Sequence, residues 1–141
     1  MYSQGFIAPI LALVAWTLLI WVAMYATRLP AMQKAKIDPQ SAKHPGSLSS
    51  LPSGARQVAD NYNHLMEQPT IFYAAALAAH VAGAIDAVSI GIAWTYVLLR
   101  VLHSLVQTTI NIVPLRFVLF SLSTFALMAL VARTGLMLLP Q

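Results

Sequence analysis

Four long apolar runs, separated by one extended polar segment and two short turns, dominate the chain. They cover about residues 6–26, 62–84, 87–110 and 115–139. A helix needs about 20 apolar residues to cross the hydrocarbon core of a bilayer, and each run is long enough. The pattern predicts an all-α integral membrane protein with four transmembrane helices in a single membrane domain, 1–141. The first run has no basic segment ahead of it and no small-residue cleavage site behind it, so it reads as a retained span rather than a signal peptide. The polar segment, about residues 28–61, is rich in Ser, Pro and Gly between Pro39 and Gly54 and reads as a loop. Pro69 falls inside the second run and predicts a kink there, because it deprives the Leu65 carbonyl of its usual donor.

Composition narrows the function classes. Only 9% of the residues are charged, against roughly 25% in a soluble domain. Most of the surface therefore faces lipid, which argues against a soluble enzyme, a disordered chain or a nucleic-acid binder. The absence of cysteine excludes a disulfide framework, a thiolate nucleophile and a thiolate metal site. No metal site is predicted.

The distribution of charge orients the chain. Arg28, Lys34, Lys36, Lys43 and Arg56 all lie in or beside the long loop, and Arg116 falls on the same side. The short turn after the second span carries Asp86 and no basic residue, and only Arg133 points the other way. The positive-inside rule then places the long loop in the cytoplasm and both termini outside.

Polar residues inside the third span form one stripe. Tyr96, Arg100, His103, Gln107 and Asn111 are spaced four, three, four and four apart, which confines them to an arc of about 80° on a helix. On the second helix, Arg56, Asp60, Asn63, Glu67 and Thr70 share a similar arc of about 80°. The geometry allows a Glu67–Arg100 ion pair. An intramembrane charge costs about 2.5–3.5 kcal/mol and tends to face the bundle. One ion pair locking two helices would need fewer polar residues than this, so the stripe predicts a lined cavity. His64 reads as interfacial, His80 as a hydrogen-bonded residue between helices, and Trp16, Trp21 and Tyr25 as lipid-facing aromatics. Asn111 and Arg116 are expected to organise the turn between the third and fourth spans, with Arg116 also able to reach an anionic ligand. Gly83 and Gly91 suggest close helix approach near the outer turn. His80 and His103 differ too much in depth to share a haem iron.

With these residues in place, the chain resembles a known family over almost its whole length. The polar run from Arg56 through Asn61, Asn63, Glu67 and Pro69 to Tyr73, the Arg100–His103 pair, and the segment Asn111-Ile-Val-Pro-Leu-Arg116-Phe117 are similar to the MAPEG family, the membrane-associated proteins in eicosanoid and glutathione metabolism, and to its bacterial branch above all. The resemblance implies a homotrimer of four-helix bundles in a bacterial inner membrane, with glutathione held between subunits near the cytoplasmic face and lipophilic small molecules entering from the bilayer. It implies glutathione contacts from Arg56, Asn63, Glu67, Tyr96, Arg100, His103 and Gln107. Catalytic roles would fall to Arg100, Arg116 and His103. The sequence departs from the family pattern at Asp60, His64, Gln107 and Pro114. The function expected is transferase- or peroxidase-like chemistry on hydrophobic electrophiles. The alternative is a binding or scaffold trimer that keeps the fold without the chemistry.

Overall fold

The computed structural model describes residues 5–140, and all regular structure within them is helical. Helix α1 spans Ile7–Lys34, α2 Ser53–Met66, α3 Gln68–Val81, α4 Ala87–Thr108 and α5 Val113–Met137. A 3-10 turn, Pro39–Ser41, interrupts the long loop, opened by Asp38, whose carboxylate accepts from the Gln40 N–H at 3.0 Å. By length and composition, α1, α4 and α5 can each cross a membrane.

The predicted second span is two 14-residue helices rather than one rod. The break falls at Glu67, whose φ of −88° and ψ of −98° take it out of the helix. Pro69 explains the position. It has no N–H to continue the ladder, and its ring crowds the carbonyl four residues back, so α2 stops and α3 restarts with Pro69 in its first turn, where a missing N–H costs nothing. The sequence predicts a kink at Pro69; the chain breaks fully, two residues earlier.

Helices α4 and α5 form an antiparallel hairpin, and α1 lies mainly against α2. The main core contains Phe6, Leu13, Phe72, Leu127 and Leu130, with the fully buried alanines Ala76, Ala79 and Ala93. Such small residues let helices approach closely where lipid supplies no hydrophobic drive. Outside, Leu18, Leu19, Val22, Phe125 and Met128 are each more than half exposed, the kind of apolar exterior that lipid requires.

At the end of the bundle away from the long loop, Asp86 caps α4. Its carboxylate accepts from the Ser89 backbone N–H at 2.9 Å and from the Ser89 hydroxyl at 2.9 Å. Arg133 of α5 donates to Asp86 at 3.3 Å and to the Ser89 hydroxyl oxygen at 3.1 Å. Two expectations fail nearby. A Cβ at Gly83 or Gly91 would meet nothing within 4 Å, so neither marks a close approach within the chain; Gly83 serves the turn through its φ of +71°. His80 packs over Gly5, with its Nδ1 buried and without a hydrogen-bond partner among the described residues.

Candidate functional site

The predicted stripe of the third span is internal. Tyr96, Arg100, His103 and Gln107 are all buried, and Arg100 is fully so. Asn111, half-buried, lies just beyond the end of α4.

What faces this stripe differs from the expectation. Arg56, Asp60, Asn63, Glu67 and Thr70 all point outward and are exposed. The residues that meet α4 come from another face of the same broken helix. Asn61 donates its amide to Gln107 at 2.9 Å. Tyr96 donates its hydroxyl to Gln68 at 3.3 Å, and the Gln68 amide donates in turn to Thr124 of α5 at 2.9 Å. Arg100 donates from Nη2 to the backbone carbonyl of His64 at 3.1 Å. That carbonyl lies just before the break, where a continuous helix would have given it the Gln68 N–H.

The Glu67–Arg100 pair therefore does not form. The Glu67 carboxylate lies instead 3.4 Å from His64 Nδ1, with its side chain 67% exposed. Arg100 sits over the Phe120 ring, 5.3 Å from its centroid, a position that favours a cation. Its Nε and Nη1 nevertheless have no hydrogen-bond partner among the described residues. His103 meets the His64 ring edge-on at 5.9 Å and approaches Phe120 at 6.3 Å. His64 thus contacts both Glu67 and the α4 stripe.

Arg116 is held by the turn between α4 and α5. Asn111 adopts a φ of +50°, a conformation that asparagine tolerates better than most residues. Its N–H closes onto the Val106 carbonyl at 2.7 Å, its side-chain amide donates to Gln57 at 3.3 Å, and its side-chain oxygen accepts from Arg116 at 2.7 Å. The Arg116 Nε remains buried without a partner among the described residues. The expected role of both residues in this turn is met.

Two cavities open beside this framework. A polar one of about 270 Å³ is lined by Asp60, Asn63, Glu67, Gln107 and Asn111, together with His64 and Arg116. An apolar one of about 240 Å³ is lined by His103, Val113, Phe117 and Phe120, again with His64 and Arg116. The two share His64 and Arg116 as a common wall. Neither is lined by Arg100 or Tyr96, which stand behind the wall. Arg56 lines neither; it lines a third cavity under the long loop, which meets the polar one at Asp60 and Asn63.

A family model, that of the MAPEG family, matches residues 6–136, nearly the whole chain. The chain belongs to the MAPEG family. Neither a curated protein nor a solved structure matches it at a significant level. Membership makes this an integral membrane protein of a family with roles in glutathione and eicosanoid metabolism, whose members generally use glutathione and are usually trimers.

Sequence reasoning gave Asn61, His64, Gln68 and Phe120 no role in the site of this MAPEG chain. The first three had a legible signal: spacings of three and four place them within an arc of about 60°. Phe120 had none, since it is one apolar residue in an apolar span.

Proposed function

We propose that this protein is a glutathione-dependent membrane enzyme, of transferase or peroxidase type, acting on hydrophobic electrophiles. The observation that carries the reading is the pair of cavities, one polar and one apolar, that share His64 and Arg116. A polar thiol and a lipid-soluble acceptor need such adjoining compartments. Holding the two reactants together at that wall removes much of the entropic barrier to their meeting.

The residues fit the tripeptide in kind. Glu67 and Asp60 suit its ammonium group, while Asn63, Gln107 and Asn111 offer neutral hydrogen bonds. Arg116 carries a fixed positive charge to the shared wall, with an Nε that has no partner among the described residues. A cation at that point favours the thiolate over the thiol and so prepares the nucleophile. His103 flanks the acceptor side. Arg100 and Tyr96 act as positioning residues, because Arg100 grips the His64 carbonyl and neither lines the cavities.

The same reading includes an assembly. Ligand pockets usually measure about 300–1,000 Å³, and the polar cavity alone falls just short. In the outward row, Asn63, Glu67 and Thr70 fall within the second apolar run and need cover inside a bilayer. A neighbouring chain laid on it would supply both the missing wall and the cover, giving a trimer of four-span subunits in a bacterial inner membrane, the long loop cytoplasmic and both termini outside.

A second reading, a trimer that binds without turnover, draws on Asp60. Its carboxylate lines the same cavity that would receive two ligand carboxylates. Calorimetric titration with reduced glutathione separates the two readings. Saturable binding in the parent, weakened about tenfold or more in Arg116→Ala and in Glu67→Gln, is expected from the loss of charge-assisted hydrogen bonds. A folded parent that binds nothing at several millimolar glutathione would overturn the enzymatic reading and leave the scaffold.

A further inference from the structure

Gln57 of α2 lines neither cavity of the proposed site, yet a chain of hydrogen bonds joins it to Arg116. Its side-chain amide donates to the carbonyls of Thr108 and Thr109, at 3.1 and 3.3 Å. These carbonyls lie at the C-terminal end of α4, where the last C=O groups of a helix have no partner within it. Gln57 Oε1 accepts from the Asn111 side-chain amide at 3.3 Å, and Asn111 Oδ1 accepts from Arg116 Nη1 at 2.7 Å.

The direction of this chain is fixed at both ends. A backbone carbonyl only accepts, so Gln57 turns its NH2 toward α4 and its oxygen toward Asn111. A guanidinium only donates, so Asn111 turns its oxygen toward Arg116 and its NH2 toward Gln57. Flipping either amide alone would set like against like at both of its contacts, and flipping both would spoil the two ends. The Asn111 N–H on the Val106 carbonyl holds the backbone of the turn but selects neither orientation of the side chain. Gln57 does. All three side chains belong to half-buried residues, where a mispaired polar group is costlier than in water.

We infer that Gln57 is a positioning residue: by fixing which way the Asn111 amide points, it holds the Arg116 guanidinium at the wall shared by the polar and apolar cavities. The inference rests on the proposed reading of Arg116 as the charge that favours the thiolate, and it adds the residue that keeps that charge in place. A preorganised cation stabilises a developing anion without having to move when the anion forms, which a guanidinium on a free, flexible stem cannot do.

Nuclear magnetic resonance of detergent-solubilised protein with isotope-labelled arginine tests the placement without any ligand. The chain has five arginines, and Arg116→Lys identifies the Nε–H signal of Arg116. In Gln57→Met that signal is expected to move to the position of a freely rotating guanidinium, while the Arg100 and Arg133 signals stay. An unmoved Arg116 signal would overturn the inference. Gln57→Glu keeps an acceptor for the Asn111 amide but loses both bonds to the α4 carbonyls. Its Arg116 signal is therefore expected to stay held while its unfolding midpoint falls. Equal release of Arg116 in both variants would overturn the inference in favour of a plain clamp on the end of α4.

The thiol supplies a second readout. At saturating glutathione, the ultraviolet absorbance of the thiolate is followed against pH. In Gln57→Met the titration midpoint is expected to move upward, with about tenfold less thiolate at a given pH below it. In an Arg116→Ala background the same substitution is expected to add nothing, because two residues acting through one group are not additive. A full shift in that background would overturn the inference, since Gln57 would then act on the ligand by another route. A parent that ionises no bound glutathione would sink the enzymatic reading, and the arginine signal would still decide the placement.

Discussion

The two ends of the bundle treat buried and half-buried charge in opposite ways. At the end away from the long loop, Arg133, Asp86 and Ser89 form a closed set in which guanidinium, carboxylate and hydroxyl each have partners on the other two. Toward the loop end, Arg100 is fully buried and, among the described residues, has one hydrogen bond, to the His64 carbonyl, while its Nε and Nη1 have none. Asn61 Oδ1, Ser104 Oγ and Arg116 Nε also lack partners among the described residues. Native proteins leave few buried polar groups unpaired, because each costs about 1–3 kcal/mol. A complete set reads as a clamp between two helices. An incomplete one reads as a place where structure has been given up for something else, and it adjoins both cavities.

The largest effect should come from removing the two arginines in turn. Arg100→Met is expected to lower glutathione-dependent turnover by about 10²-fold, because the His64 carbonyl loses its anchor and the shared wall shifts. Its unfolding midpoint in detergent should hold or rise, since an apolar side chain in place of a desolvated, under-partnered cation is often neutral or stabilising by about 1–4 kcal/mol. Arg133→Met should do the reverse: turnover at the parent level and a loss of about 0.2–1 kcal/mol of stability, as for a partly exposed ion pair. If Arg100→Met instead unfolds the protein by several kcal/mol while glutathione binding persists, the loop-end ladder is a helix lock.

The sequence carried much of this contrast, unevenly. The α4 stripe was legible because polar residues at helical spacing in an apolar span share one face, and lipid drives that face inward; four of its five members are buried. Its counterpart on the broken helix is harder to find because that helix has two polar faces. The five-residue row from Arg56 to Thr70 holds more charge and attracts the assignment. The quieter face of Asn61, His64 and Gln68 makes the contacts. The decisive partner of Arg100 is a backbone carbonyl released by the break at Glu67, and a sequence displays side chains rather than carbonyls. Pro69 signalled a disturbance and pointed to the Leu65 carbonyl, whereas the carbonyl that Arg100 takes up is that of His64.

A smaller effect separates the two cavities. Phe117 lines the apolar compartment and not the polar one. Phe117→Ala should raise the KM for a hydrophobic acceptor about five- to tenfold, the scale of a modest loss of apolar contact, with glutathione affinity unchanged by calorimetry. A matching loss of glutathione affinity would show that the compartments are one, and the division of labour across His64 and Arg116 would fall.

The smallest effect tests the closed end by pH. The Asp86 carboxyl is held at about 2, below its usual 3.8, chiefly by the Ser89 backbone N–H, with the Ser89 hydroxyl and Arg133 adding to it against an opposing effect of burial. Its folded-state pKa is depressed, so its contribution to stability is fully present above the unfolded value and is lost as pH falls through the folded one. The stability advantage of the parent over Asp86→Asn should stay level from neutrality to about pH 4 and shrink between there and about pH 2, followed by helical circular dichroism during thermal unfolding. Glutathione binding at neutral pH should be the same in both proteins, because this cluster lines neither cavity of the proposed site. A binding defect in Asp86→Asn would mean that the α4–α5 hairpin transmits strain from one end to the other, and the two ends could no longer be treated as a clamp and a site.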